Sequence, residues 1–251
     1  MASGLPARSP RSLARREGGA VRRWVSRSLW DVVPRDQRDT VEVLRRRQWV
    51  TVGVVLLGAV MLAISLRIEP GNVWFYPAAL AMAAVWAVGA LLSGPLHLGR
   101  IAAGAHDTTL VRPVVAPVLL GLLLAALFVV GGLVVREIPW LDRQVRSVLD
   151  FADQGSVPLL LLITVVNGIA EELFFRGAVY AAVTRHPVIW STLAYVVATL
   201  ATGNVMLAFA AILLGAVVGL QRRASGGILA PILTHCTWST AMLFALPLLF
   251  G

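Results

Sequence analysis

Residues 113–135 read PVVAPVLLGLLLAALFVVGGLVV, a run without a single charged side chain. At a rise of about 1.5 Å per residue, an α-helix of about 20 residues crosses the roughly 30 Å hydrocarbon layer of a bilayer. This stretch is long and apolar enough to do so. It therefore predicts a transmembrane helix.

The composition extends this prediction to most of the chain. Of the 251 residues, 58% are hydrophobic and only 14% are charged, with a mean hydropathy of +0.79. In soluble domains the apolar share is about half. We predict an all-α, polytopic transmembrane helix bundle of about seven spans within residues 49–250. The predicted spans are 49–66, 74–93, 113–135, 157–183, 188–203, 204–220 and 227–250.

The N-terminal region carries much of the net charge of +9, and all 22 basic residues of the chain are arginines. Residues 1–48 contain 12 of them. A cytoplasmic tail that faces anionic lipid headgroups explains this excess better than a nucleic-acid partner does. Residues 1–20 have the composition of a disordered segment. Apolar residues from Val21 to Val33 recur at helical spacing, which predicts an interfacial amphipathic helix.

The arginines between the spans predict an orientation, because short cytoplasmic loops hold an excess of positive charge. A cytoplasmic N-terminus places the loops that contain Arg100, Arg185 and Arg222 on the cytoplasmic side. Residues 136–153 then form an external loop, in which acidic and basic side chains are mixed. We expect an integral protein of a bacterial plasma membrane.

Three charged residues interrupt the span at 157–183: Glu171, Glu172 and Arg176. Each charge near the centre of a bilayer costs about 2.5–3.5 kcal/mol on insertion scales. A structural interpretation pairs Glu172 with Arg176, four residues later. Glu171 points about 100° away and can share a face with Asn167. Removal from water makes a carboxylate bind a proton more readily, so Glu171 is our candidate for a general base.

A second polar set lies in the last span, where His235 and Ser239 share one helix face. A single intramembrane His is often a packing residue, and Ser commonly bonds to its own helix. The depth of these residues in the membrane, however, favours a functional role. The glutamates lie roughly 12 residues, about 18 Å, from the cytoplasmic end of their span, and His235 lies roughly 8 residues, about 12 Å, from its own. We expect both sets to meet in one cytoplasm-facing cavity.

These residues resemble motifs of a known family. Glu171-Glu172-Leu-Phe-Phe-Arg176 resembles the EExxxR motif of the CPBP (Abi) family of CAAX-processing and bacteriocin-processing intramembrane proteases. His235-Cys-Thr-Trp-Ser239 resembles the HxxxN motif of the same family. The likeness covers about residues 157–245. It implies an intramembrane endopeptidase similar to the type II CAAX prenyl proteases.

The resemblance also implies a role for each matched residue. Glu171 would activate a water molecule with support from Glu172 and Arg176, while His235 and Ser239 would donate hydrogen bonds to the oxyanion. The implied substrate is a peptide or protein, with or without a prenyl group. The sequence specifies no cofactor, and a divalent metal such as zinc stays open, with Glu171 and His235 as its candidate ligands. Catalytic zinc sites typically have three protein ligands.

The middle motif of the family, FxxxH, corresponds here to Tyr195-Val-Val-Ala-Thr199, so a threonine stands where the family has histidine. A threonine hydroxyl can hold a water molecule but cannot accept its proton near neutral pH. Thr199 and Asn167 are therefore weaker site candidates. The alternative hypothesis is a catalytically degenerate family member that acts as a membrane scaffold or binding protein. A small transporter ranks last, because the first three spans are almost purely apolar.

Overall fold

The computed structural model describes residues 19–33, 40–65, 68–69, 71–102, 110–153 and 156–251. Almost the whole of the predicted disordered segment, residues 1–20, lies outside these ranges. The described chain is a helical bundle, as predicted. Its helices are α1 (Ala20–Val25), α2 (Val41–Ser65), α3 (Phe75–Ser93), α4 (Val115–Val135), α5 (Pro139–Asp153), α6 (Val157–Glu172), α7 (Tyr180–Ala182), α8 (Pro187–Leu200), α9 (Val205–Ser225) and α10 (Leu229–Phe250).

Two segments are π-helical, Ser26–Trp30 after α1 and Leu173–Val179 between α6 and α7. The strands β1 (Ile101–Ala102) and β2 (Leu110–Val111) form one short antiparallel ladder. The fold is otherwise built from helices in the residues that the structure describes.

Within the described ranges, six helical stretches are long and apolar enough to cross a membrane. They are Val41–Ile64, Phe75–Ser93, Val115–Val135, Val157–Ala182, Val205–Ser225 and Leu229–Phe250. The predicted span at 188–203 corresponds to α8, whose 14 residues extend about 21 Å. The prediction of a polytopic bundle is thus confirmed, with six long helices and one short apolar helix.

The first transmembrane helix begins earlier than predicted, at Val41 instead of residue 49. Arg47, assigned from sequence to the cytoplasmic tail, has a fully buried side chain within α2. Its guanidinium lies against Gly94, where any side chain would collide with it. The early start therefore reflects packing of an arginine against α3, which the hydropathy of the sequence does not reveal.

The segment at 136–153, predicted as an external loop between two spans, is mostly helical and forms α5, and its external location stays a prediction. Val145 and Leu149, four residues apart, are buried together with Phe250 of α10. Asp142 and Arg146 stand on the more exposed side and pair with each other. The mixed charges of this segment are thus the polar face of an amphipathic helix.

Residues 20–30 are helical, which agrees with the helix predicted at 21–33. The segment that follows α1 packs on the end of α9. Arg223 Nη2 donates a hydrogen bond to the Leu29 carbonyl at 3.2 Å, and the Val33 amide donates to the Arg223 carbonyl at 3.1 Å. The location of this helix at the membrane interface stays a prediction.

The core of the bundle lies where α3 packs against α6 and the π-helical segment that follows it. Trp86 stacks on Phe174, with 4.8 Å between ring centroids, and its ring lies 5.1 Å from that of Phe175. π-Helical turns are rare and frequently occur at functional sites. Here the wider turn begins directly after Glu172 and contains Arg176.

Candidate active site

Glu172 and Arg176 form a buried ion pair across the junction of α6 and the π-helical segment. Arg176 Nη1 donates to Glu172 Oε1 at 2.9 Å, and neither side chain is exposed. Arg222 Nε donates to the Arg176 carbonyl at 2.9 Å, which ties this segment to α9. The Arg176 guanidinium also lies over the Tyr195 ring, 4.8 Å from its centroid. These contacts fix the position of the pair, while Glu172 Oε2 and Arg176 Nε and Nη2 are buried without a hydrogen-bond partner among the described residues.

His235 of α10 reaches the same carboxylate oxygen. Its Nδ1 lies 2.8 Å from Glu172 Oε1, and an ionised carboxylate only accepts hydrogen bonds, so Nδ1 is the donor of this bond. Two contacts with α4 hold α10 in this position. Thr234 Oγ1 donates to the Pro117 carbonyl at 2.8 Å, and Gly121 lies so close to α10 that a side chain there would collide with it.

Glu171 faces the other nitrogen of the same imidazole. Its Oε2 lies 3.9 Å from His235 Nε2, which is too long for a direct hydrogen bond but suits one water-mediated contact. The Tyr195 side chain of α8 interacts with the Glu171 carboxylate. The Glu171 side chain is 24% exposed, whereas that of Glu172 is completely buried. The two neighbouring carboxylates thus have different environments.

Glu171 opens onto a cavity of about 180 Å³ at the centre of the bundle, which has room for several water molecules. Tyr195 and Thr199 line the cavity from α8, and Trp86 and Trp238 line it from α3 and α10. Most of the wall is apolar. The Trp238 Nε1 donor is buried and has no hydrogen-bond partner within the described ranges.

Three of the predicted site residues use their polar groups within their own helices. Ser239 Oγ donates to the His235 carbonyl at 2.9 Å, Asn167 Nδ2 to the Ile163 carbonyl at 3.0 Å, and Thr199 Oγ1 to the Tyr195 carbonyl at 2.9 Å. Thr199 nevertheless lines the cavity. The structure therefore brings together the glutamates, Arg176 and His235. The oxyanion role that the resemblance implies for Ser239 would require its hydroxyl to leave its bond to the His235 carbonyl.

Sequence reasoning missed the two aromatic residues with polar groups at this site. Tyr195 occupies the first position of the stretch that corresponds to FxxxH, which was examined only for its missing histidine. Trp238 follows His235 by three residues, a spacing that puts both on one face of a helix. Both signals were present in the sequence.

The donor set does not fit a catalytic zinc ion. His235 Nδ1 and Glu172 Oε1 are engaged with each other, and the latter also accepts from Arg176. The groups that face each other across the open gap are Glu171 Oε2 and His235 Nε2, one ligand fewer than such sites typically have. Across the described part of the chain, no group of three His, Cys, Asp or Glu side chains is arranged to hold a metal.

A comparison with models of known protein families finds one match. Residues 153–241 match the model described as type II CAAX prenyl endopeptidase Rce1-like. This segment is therefore similar to the CAAX protease family. Neither a curated protein nor a solved structure matches the chain.

The matched segment contains Glu171, Tyr195 and His235, but the site extends beyond it. Leu62 of α2 and Trp86 of α3 close the cavity from outside the matched residues. The contact of α10 with Pro117 of α4 is also made outside the segment. The first half of the bundle is therefore the frame that holds the residues of the matched segment in place.

Proposed function

We propose that the chain is an intramembrane endopeptidase of the CAAX-processing type, in which Glu171 activates a water molecule at a cytoplasm-facing site. The observation that carries the proposal is the opposition of Glu171 Oε2 and His235 Nε2 across 3.9 Å at the edge of a central cavity. A water molecule beside this gap can donate to the carboxylate while it accepts from the imidazole. It is then oriented for proton removal.

His235 Nε2 is the oxyanion donor in this proposal. The other ring nitrogen, Nδ1, contacts Glu172 Oε1 at 2.8 Å, which directs Nε2 toward Glu171. A hydrogen bond from His235 to the oxyanion is also what the family resemblance implies.

The hydrolysis step follows from these roles. Glu171 takes a proton from the water molecule as the water oxygen attacks the carbonyl carbon of the peptide bond. The carbonyl oxygen becomes an oxyanion that accepts from His235 Nε2, which stabilises the charge as it develops. Glu171 then passes the proton to the amide nitrogen as the C–N bond breaks. Glu172 and Arg176 hold His235 and take no part in the proton transfer.

The substrate in this proposal is a peptide or protein segment that enters from the cytoplasmic side. A mostly apolar and aromatic cavity wall suits an extended segment with apolar side chains or a prenyl group. Arg22 and Arg23 of α1 belong to a basic N-terminal region for which we propose anionic lipid as the partner.

The proposal is tested by hydrolysis of quenched-fluorescent peptides, farnesylated and plain, with purified detergent-solubilised protein. Turnover should be lost in Glu171→Gln and His235→Ala and retained in Glu137→Gln, which changes an exposed carboxylate outside the site. The ratio of the two peptide rates reports whether a prenyl group is recognised. Equal rates in the wild type and Glu171→Gln would refute the proposal.

A second candidate function is a membrane scaffold or binding protein that has kept the fold. The observation that favours it is Thr199, which replaces the family histidine and donates its hydroxyl hydrogen to the Tyr195 carbonyl. In a scaffold, Glu171→Gln leaves every phenotype intact while the protein level stays unchanged. A comparison of the wild type with Glu171→Gln thus distinguishes the two functions.

A further inference from the structure

Tyr195 and Thr199 lie one helical turn apart on α8 and line the same cavity as Glu171. A spacing of four residues puts both side chains on one face of the helix. Compared with the FxxxH pattern, the chain has a tyrosine in place of phenylalanine and a threonine in place of histidine. The titratable side chain on this helix face is therefore at position 195, one turn before the position at which the pattern has histidine.

The two hydroxyl groups have different partners. Thr199 Oγ1 donates to a backbone carbonyl of its own helix, which leaves Glu171 without a hydrogen bond from position 199. The Tyr195 side chain lines the same cavity as Glu171 and interacts with its carboxylate. Its hydroxyl, unlike that of Thr199, has no backbone carbonyl of its own helix as a partner among the described residues.

The Tyr195 ring is fixed by aromatic and charged neighbours. Its centroid lies 4.9 Å from that of Phe175, 4.8 Å from Arg176 Cζ and 6.4 Å from the His235 ring. A ring held by three such neighbours presents its hydroxyl at a defined point. Preorganised groups of this kind hold catalytic side chains in a productive geometry.

We propose that Tyr195 is the positioning residue for Glu171 and that its hydroxyl replaces the interaction lost with the histidine at position 199. The inference rests on the proposed protease function and deepens it. In this proposal, a hydrogen bond from the Tyr195 hydroxyl fixes the Glu171 carboxylate so that it stays directed toward the water between Glu171 and His235. Tyr195 does not touch the reacting atoms and acts through Glu171.

The test compares kcat and KM for wild type, Tyr195→Phe and the double variant Tyr195→Phe/Thr199→His. Tyr195→Phe removes one hydroxyl and keeps the ring contacts. Because a small misplacement of a catalytic group costs on the order of 10²-fold in rate, we expect kcat to fall by this factor with KM unchanged. The double variant restores the family pattern in the cavity beside residue 199 and should regain at least a tenth of the wild-type kcat.

The matched control is Tyr180→Phe, which removes the hydroxyl of another buried tyrosine that does not line the cavity. It should keep the wild-type kcat. A thermal unfolding midpoint of Tyr195→Phe equal to that of the wild type supports a positioning role. A lowered midpoint with proportional loss of active protein would instead show that Tyr195 serves packing.

Two further outcomes overturn the inference without affecting the proposed function. One is an unchanged kcat in Tyr195→Phe while Glu171→Gln is inactive. The other is a loss of activity that Thr199→His does not restore. By contrast, wild-type protein with no more turnover than Glu171→Gln would refute the proposed function, and the role of Tyr195 with it.

Discussion

Replacement of Arg176 by methionine should destabilise the bundle strongly. The substitution keeps most of the side-chain volume but leaves the Glu172 carboxylate buried without its cation. Removal of one partner from a buried pair costs about 3–5 kcal/mol. We expect about 3 kcal/mol, the lower end, because His235 Nδ1 still donates to Glu172.

The single cysteine of the chain provides the assay. Cys236 lies directly after His235 and is partly buried, with its Sγ 3.8 Å from the Val165 carbonyl. A fluorogenic maleimide therefore reports unfolding from one position inside the bundle. For a chain of this size, 1 kcal/mol shifts Tm by about 2–4 °C, so Arg176→Met should lower Tm by about 6–12 °C.

The chain contains a matched control for this experiment. Arg146 Nε and Asp142 Oδ2 have the same i,i+4 spacing and the same 2.9 Å distance, but their side chains are 51% and 19% exposed. Exposed pairs contribute at most about 1 kcal/mol, so Arg146→Met should lower Tm by less than about 4 °C. Equal shifts in the two variants would refute the argument that burial makes the Glu172–Arg176 pair important.

Three further predictions concern other parts of the bundle. Gly58→Ala forces a methyl group into the Trp86 ring and should destabilise the protein by about 1–3 kcal/mol. Gly53→Ala, on the same helix with open space around it, should be neutral or stabilising in the same thermal assay. Ser239→Ala should change kcat by less than about threefold, because the hydroxyl is bound to its own helix; a loss of the 10²- to 10³-fold typical of an oxyanion donor would contradict this. Asn204 caps α9 and donates to the Gln144 carbonyl of α5 at 2.6 Å. Asn204→Ala should therefore lower the free energy of unfolding by about 0.5–2 kcal/mol and speed amide hydrogen exchange in α5. Unchanged exchange would show that α5 is held by its apolar contacts alone.

The transmembrane helices could be predicted from the long apolar runs because a bilayer imposes a simple length requirement on each helix. The segment at 139–153 was misread because its charges were weighed and its apolar spacing was not. Val145 and Leu149 carry the helical period, but their burial depends on Phe250, more than 100 residues away in the sequence. The burial of Arg47 similarly depends on Gly94 and could not be inferred from neighbours in the chain.

Within the candidate site, the sequence identified Glu171, Glu172, Arg176 and His235 because charged and titratable groups are rare in transmembrane segments. It could not tell which partner each one has. His235 binds Glu172 through Nδ1 and faces Glu171 through Nε2, an arrangement set by the approach of α10 to α6. The importance of Tyr195 emerges only when α8 is placed beside Glu171.

The sequence by itself determined that the chain is a membrane helix bundle with a polar set in its second half, because hydropathy, helix length and the cost of buried charge are local properties. The tertiary structure alone decided which hydroxyl reaches Glu171, which carboxylate is sealed from the cavity and where α5 packs. These features depend on contacts between helices that are distant in sequence. In a close-packed interior, an approach that differs by about 1 Å determines whether two polar groups form a hydrogen bond or remain apart.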